Sequence, residues 1–86
     1  MTNVIIYSTN ACPFCVRAKQ FFESRDIAYT ELRIDESPEL RQEMNAKSGG
    51  RRTVPQIFIN DQHVGGYDDL MAMARTDALD KLLEGE

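Results

Sequence analysis

The chain has 86 residues, enough for one domain, 1–86, with a modest core. Hydrophobic residues make up 42% and charged residues 28%, the composition of an ordinary globular domain rather than a disordered chain. The formal net charge of −4 makes nucleic acid a poor partner, because phosphate binding needs a basic face.

No apolar run approaches the roughly 20 residues that a membrane span needs, so we expect no membrane partner. The N-terminal Met1-Thr2-Asn3 carries no basic residue, and Val4-Ile5-Ile6 is too short for the core of a signal peptide. We therefore expect a cytoplasmic protein whose thiols are kept reduced.

The first third of the chain predicts a strand, a helix and a strand. Val4 to Tyr7 is a short continuous apolar run, typical of a strand covered on both faces. A helix is predicted over 13–25, with Pro13 at its first position. Its apolar stripe comprises Phe14, Ala18, Phe21 and Phe22. Ile27 to Ile34 alternates in polarity and predicts a second strand, parallel to the first.

A second helix is predicted between Ser37-Pro38, a cap followed by a first-position proline, and a stop at Gly49-Gly50. Leu40 and Met44 lie on its inward side. Val54 to Ile59, rich in Val, Ile and Phe, then predicts a third strand.

The last third predicts a hairpin and helices. Asn60-Asp61 is a turn sequence, and Gln62 to Val64 returns as a fourth strand, antiparallel to the third. Tyr67 to Arg75 predicts a helix with two acids in its first turn, and the leucines near the end suggest a short final helix. The predicted fold is an α/β sandwich in the order βαβαββα, with helices flanking a four-stranded mixed sheet.

Cys12-Pro13-Phe14-Cys15 follows the first strand and opens the first helix. Free N–H groups and the dipole at a helix start stabilise a thiolate, which is the nucleophile in disulfide exchange. Cys15 lies one turn inside the helix, and this spacing brings the two sulfurs within bonding reach. We therefore expect Cys12 to attack a disulfide and Cys15 to resolve the mixed disulfide.

A zinc site is the alternative for this pair. Zinc takes four ligands, and the chain offers only Cys12, Cys15 and His63 as strong ones. A carboxylate would have to complete the set, and we expect His63 to be a surface strand residue. The position of the motif in a strand-helix-strand unit favours redox chemistry.

Val54-Pro55 leads into a predicted strand, where a proline normally interrupts pairing. A cis bond would turn the chain and expose the Val54 backbone to a peptide-like ligand, although an ordinary edge-strand proline is equally compatible. Gly65-Gly66 allows a ligand to approach the backbone, or simply ends a hairpin. Asp68 at a helix start suits a helix cap.

Three motifs together resemble the glutaredoxin family over nearly the whole chain: Cys12-Pro13-Phe14-Cys15, Thr53-Val54-Pro55 and Gly65-Gly66-Tyr67-Asp68-Asp69. The length and charge are most similar to small bacterial-type dithiol members. The resemblance implies a thioredoxin-like fold and a glutathione-dependent oxidoreductase that reduces protein disulfides and glutathione mixed disulfides. Cys12 and Cys15 would be catalytic, and the implied glutathione contacts are Phe14, Arg41, Thr53, Val54, Pro55, Gly66, Tyr67 and Asp68.

In the family, the position of Arg41 contacts the glycyl carboxylate of glutathione, and that of Asp68 receives the γ-glutamyl ammonium. Arg51 and Arg52 are further candidate cations. Arg52 adjoins the Thr53 turn, whereas for Arg51 we prefer the alternative of a solvated surface residue. The resemblance implies glutathione as a reducing co-substrate, no tightly bound cofactor, no metal, and a monomer that acts on disulfide-containing or glutathionylated proteins.

One position departs from the family pattern: Thr9 stands where many members carry a lysine, three residues before the first cysteine. This removes a cation from the expected glutathione site and leaves recharging by thioredoxin reductase as an alternative. A further alternative is an iron-sulfur carrier in which two chains bridge a cluster. Members of that type usually have a small residue after the first cysteine, so Pro13 disfavours it.

Overall fold

A computed structural model describes residues 3–84 as a four-stranded mixed sheet with helices on both faces. Its elements are β1 (Val4–Ser8), α1 (Pro13–Ser24), β2 (Thr30–Arg33), α2 (Pro38–Lys47), β3 (Gln56–Ile59), β4 (Gln62–Gly65), α3 (Tyr67–Ala74) and α4 (Asp77–Leu83). Residues 1 and 2, considered above for a signal peptide, and 85 and 86, the end of the predicted domain, lie outside the described residues.

The strands lie in the order β2-β1-β3-β4. β1 is parallel to β2 and antiparallel to β3, and β3 is antiparallel to β4 with an irregularity between Ile57 and Phe58. The predicted βαβ unit, hairpin and short last helix are therefore confirmed. Within residues 3–84, no helix has the length and apolar character to cross a lipid bilayer.

The continuous apolar run of β1 is explained by cores on both faces of the sheet. One core contains Val4, Ile6, Ala18, Phe22, Ile57, Ile59, Leu70 and Leu79. The second contains Tyr7, Ile34, Met44 and Phe58. Successive side chains of a strand point to opposite faces, so β1 contributes to both cores.

Two strands begin later than predicted. Ile27 is not in β2, because its amide donates to Phe22 O at 2.9 Å and so closes the end of α1. Asp26 has a φ of 57° in the same turn. β3 begins at Gln56 rather than Val54, since its pairing with β1 ends at Tyr7 opposite Gln56.

Phe14 is also placed differently from the prediction. It was expected on the apolar stripe of α1, but 48% of its surface is exposed, whereas Ala18 and Phe22 are fully buried. Phe14 belongs to the first turn of α1, where its ring meets that of Tyr67 with the centroids 5.8 Å apart. Helical periodicity predicted the side of the helix correctly but not that Phe14, at the second helical position, lies outside the core.

Candidate active site

Cys12 is the N-cap of α1, and Pro13 occupies the first position, as predicted. The Cys12 sulfur accepts a hydrogen bond from the Cys15 amide at 3.2 Å, taking one of the donors that a helix start leaves unpaired. Cys12 is partly exposed, whereas Cys15 is 1% exposed. A sulfur in this position can reach substrate and is stabilised as an anion by the helix start.

Cys15 lies in the opposite environment. Burial raises the pKa of its thiol well above the ordinary value, and the hydrogen bond from this thiol to Cys12 raises it further. The backbone of Thr9 and the charge of Lys19 act in the other direction, with less effect. Cys15 is therefore held as a protonated thiol beside the sulfur of Cys12.

The Val54-Pro55 peptide is cis, which decides between the two alternatives that the sequence left open. The Cys12 sulfur lies 3.9 Å from the carbonyl oxygen of Val54, so this turn faces the Cys12 thiol. In the described part of the chain, the pairing of β3 starts at Gln56 and leaves Val54 outside the ladder. Backbone groups of Val54 are thus positioned beside the sulfur without a strand partner.

A cavity of about 170 Å³ opens beside this turn. Its walls comprise Phe14, Arg51, Thr53, Val54, Pro55, Gly66, Tyr67, Asp68 and Asp69. Seven of the eight residues that the family resemblance implied for glutathione line this cavity, and Arg41 does not. Arg41 is exposed on α2, where its amide donates to Ser37 O, and its contact with a ligand remains a prediction.

The start of α3 corrects two expectations. Gly66 is the N-cap, and its amide donates to Asp69 Oδ2 at 2.9 Å, so Asp69 rather than Asp68 caps the helix. Arg51 is not simply a solvated residue, because it lines the cavity and its guanidinium lies 3.5 Å from Asp69 Oδ2. A Cβ on Gly65, which has a φ of 116°, would lie 2.3 Å from this carboxylate oxygen.

The sequence favours a surface role for Arg51 and does not assign Asp69 to the site, yet both residues line the cavity. Ser48 holds Arg51 in a turn, accepting from its amide at 3.1 Å and donating to its carbonyl at 3.2 Å. That turn directs the arginine across to the start of α3. Ser48 could have indicated this turn in the sequence, but a serine does not by itself show which arginine lines the cavity.

His63 does not join the two cysteines. It is hydrogen-bonded to Gln56 at 2.6 Å and stacks on Phe58 with the ring centroids 4.8 Å apart. Among residues 3–84, no group of three or more His, Cys, Asp or Glu side chains is arranged to hold a metal ion. Cys12, Cys15 and His63, the ligands considered for a zinc site, are therefore not grouped in the described residues.

Comparison with known proteins agrees with this geometry. A sequence model of the glutaredoxin family matches residues 4–64. A glutaredoxin of Pseudomonas aeruginosa is 48% identical over 83 residues, which cover 96% of this chain and 98% of the relative. Glutaredoxin 3 of Escherichia coli is 49% identical over 84 residues, which cover 98% of this chain and all of the relative.

Solved structures show the same fold. The crystal structure of a buckwheat glutaredoxin–glutathione complex superposes with a TM-score of 0.86 at 26% identity, covering 98% of this chain and 78% of the other. The solution structure of a Brucella melitensis glutaredoxin gives a TM-score of 0.81 at 47% identity, covering 96% and 89%. The family model, the full-length relatives and the shared fold all lead to one conclusion: this chain belongs to the glutaredoxin family of thiol-disulfide oxidoreductases.

Proposed function

We propose that this chain reduces protein disulfides and glutathione mixed disulfides, with glutathione as its reductant. The observation that carries the proposal is the asymmetry of the dithiol: Cys12 is accessible and accepts an amide N–H at 3.2 Å, while Cys15 is buried beside it. Such a pair divides into an attacking sulfur and a reserve thiol.

The first step forms a disulfide between Cys12 and one sulfur of the substrate, while the other substrate sulfur leaves as a thiolate and takes up a proton. Cys15 then gives up its proton and attacks the Cys12 sulfur. This step closes the Cys12–Cys15 disulfide and releases the second substrate thiol, so two electrons pass to the substrate. Because Cys15 remains protonated in the resting site, it does not compete with Cys12 for the first attack.

Two glutathione molecules recharge the dithiol. The first attacks the Cys12 sulfur and frees Cys15, and the second attacks the sulfur of the bound glutathione and frees Cys12. Glutathione disulfide leaves, so the two electrons that reduce the dithiol come from the two glutathione thiols. No tightly bound cofactor or metal takes part in these reaction steps.

The charges around the cavity support glutathione as the ligand. Glutathione has two carboxylates and one ammonium, and the cavity combines Arg51 with Asp68 and Asp69. Asp69 is occupied by Arg51 and by the Gly66 amide, which leaves the exposed Asp68 as the partner we propose for the ammonium. The buckwheat relative was crystallised with glutathione, which supports the same ligand class.

We further propose that the chain is a monomer that acts in the cytoplasm, where the glutathione pool keeps such dithiols reduced. Its partners would be glutathione and disulfide-containing or glutathionylated proteins, without nucleic acid or a membrane.

The test is turnover of a glutathionylated peptide with two alternative reducing systems. One contains NADPH, glutathione and glutathione reductase, and the other contains NADPH and thioredoxin reductase. We expect NADPH oxidation with the first system and background oxidation with the second. Turnover with thioredoxin reductase alone would contradict the assignment of glutathione as the reductant.

A further inference from the structure

One buried polar side chain joins the cavity wall to the neighbouring strand β4. Gln56 is fully buried. Its Nε2 lies 3.0 Å from the carbonyl oxygen of Thr53 and 3.1 Å from the Thr53 hydroxyl oxygen. Its Oε1 lies 2.6 Å from Nε2 of His63. Both ends of the amide are therefore paired, as a buried polar group requires.

The donor and acceptor capacities of these groups determine the direction of each hydrogen bond between Thr53, Gln56 and His63. A carbonyl oxygen can only accept, so the atom facing Thr53 O must be the amide nitrogen of Gln56. The amide oxygen then faces His63 and can only accept, so His63 Nε2 must carry a proton. The Thr53 hydroxyl oxygen accepts from Gln56, which leaves its own hydrogen to be donated elsewhere.

The surroundings of His63 favour one tautomer. Burial lowers the pKa of His63, the charge of Arg51 lowers it further, and Asp69 acts in the opposite direction. The ring is therefore neutral at neutral pH and carries one proton, which the contact with Gln56 places on Nε2. Stacking on Phe58 fixes the plane of the ring.

Thr53 is the end of this series of hydrogen bonds that borders the cavity. Thr53 is exposed and lines the cavity. Neither Gln56 nor His63 belongs to the cavity lining. We propose that His63 and Gln56 are positioning residues that hold the Thr53 turn so that its hydroxyl donates to a carboxylate of a glutathionyl ligand. This inference rests on the proposed function, and it assigns roles to two residues that touch neither sulfur nor cavity.

Two substitutions of His63 separate hydrogen bonding from packing. His63→Phe keeps a flat ring on Phe58 but has no N–H, whereas His63→Gln keeps a donor. We expect His63→Phe to raise the KM for a glutathionylated peptide about three- to tenfold with kcat within about twofold, since one hydrogen bond is lost. His63→Gln and the exposed β4 control Gln62→Ala should stay within about twofold of wild type.

A second variant tests the connection. Gln56→Met has a similar volume and removes all three side-chain hydrogen bonds of Gln56, so it should raise KM at least as much as His63→Phe. Because His63 acts through Gln56, adding His63→Phe to Gln56→Met should change KM no further. Additive effects would overturn the proposal. So would a His63→Phe protein with a lower unfolding midpoint but an unchanged KM, since this result means a purely structural role.

A measurement without turnover completes the test. Long-range ¹⁵N NMR correlations of the wild-type ring should show the Nε2–H tautomer at neutral pH. The Nδ1–H tautomer would overturn the hydrogen-bond chain whatever the activity. A wild-type protein with the Nε2–H tautomer but no glutathione-coupled turnover would instead overturn the proposed function and, with it, the ligand assigned to Thr53.

Discussion

Two cysteines three residues apart have opposite properties in this protein because their surroundings differ. Cys12 is the N-cap of α1, partly exposed, and accepts the amide N–H of Cys15. Cys15 is 1% exposed, and burial raises the pKa of its thiol. These surroundings suit the first position to the nucleophilic attack that we propose and the second to a protonated reserve thiol.

Substituting each cysteine in turn separates these roles. We expect Cys12→Ser to reduce all turnover below about 1% of wild type, because no thiolate remains at the helix start. Cys15→Ser should keep reduction of a glutathionylated peptide within about threefold, since that reaction needs one thiol, but lose most reduction of a protein disulfide. Glutathione-coupled NADPH oxidation with both substrates measures this, and substantial turnover by Cys12→Ser would show that the roles are assigned wrongly.

The three candidate arginines provide a second prediction at this scale. Arg51 lines the cavity, while Arg41 and Arg52 are exposed outside its lining. We expect Arg51→Gln to raise the KM for a glutathionylated peptide about three- to tenfold, through the loss of a cation beside a ligand carboxylate. The effect should shrink with added salt, because an exposed charge is screened.

Arg41→Gln and Arg52→Gln are controls that make the same change in net charge. Because Arg41 lies outside the cavity lining, we expect a smaller rise in KM for Arg41→Gln than for Arg51→Gln, and none for Arg52→Gln. Equal effects of all three substitutions would mean that net charge, rather than position in the cavity, controls binding.

At the scale of elements, a polar cluster of Lys19, Glu31 and Ser8 connects helix α1 to the sheet. Lys19 on α1 lies 2.9 Å from Glu31 on β2, and both side chains are about three-quarters buried. Glu31 also accepts from the hydroxyl of Ser8, a fully buried residue of β1. Because Lys19 lies one turn beyond Cys15, the cluster also fixes the part of α1 that carries the reserve thiol.

Glu31→Gln tests how much this polar cluster contributes to the free energy of unfolding. The hydrogen bond from Ser8, and next Lys19, lower the pKa of the Glu31 carboxyl in the folded protein. Removing the charge should lower the free energy of unfolding by about 1–2 kcal/mol at pH 7. The control Glu36→Gln removes a carboxylate that is 68% exposed and 3.8 Å from Arg33, and should cost about 0–0.5 kcal/mol.

The pH dependence follows from the direction of the shift. A carboxyl whose folded pKa is depressed contributes stability above its unfolded pKa, about 4.3 for glutamate, and loses this contribution as the pH falls through the folded pKa. The difference in unfolding free energy between wild type and Glu31→Gln should therefore be constant at neutral pH and shrink below about pH 4. Urea unfolding at pH 7 and pH 3 measures it, and a difference of equal size at both values would exclude a charge effect.

At the scale of the whole molecule, Asn60 in the turn between β3 and β4 joins both ends of the described chain. Its side-chain oxygen accepts from the Asn3 amide, and its side-chain nitrogen donates to Leu82 O, both at 2.8 Å. Its backbone amide also donates to Asn3 O. A single turn residue thus connects the start of β1, the hairpin and the end of α4.

Two substitutions of Asn60 separate its hydrogen bonds from its backbone conformation, which has a φ of 52°. Asn60→Gly tolerates this conformation but loses both side-chain bonds, and should cost about 1–2 kcal/mol of unfolding free energy. Asn60→Ala loses the same bonds and adds left-handed strain of about 1 kcal/mol. Chemical denaturation measures both variants, and equal values would mean that the turn conformation contributes nothing.

Much of the site's framework was determined by the sequence alone, because its signals are local. Pro13 after Cys12 marks the helix start, and Gly49-Gly50, with φ values of 73° and 94°, ends α2. Asn60-Asp61 forms the turn between β3 and β4 with two positive φ angles. Each of these depends on the backbone preferences of one or two residues, which do not need the rest of the fold.

What only the tertiary structure decided depends on residues far apart in the chain. Helical periodicity placed Phe14 on an apolar stripe, but the packing of α3 decides that its ring lines a cavity opposite Tyr67. Arg51 lines the cavity because its turn faces Asp69, and these two residues are brought together only by the folded sheet. Sequence spacing reports which way a side chain points from its own element, whereas a site is formed by where the elements meet.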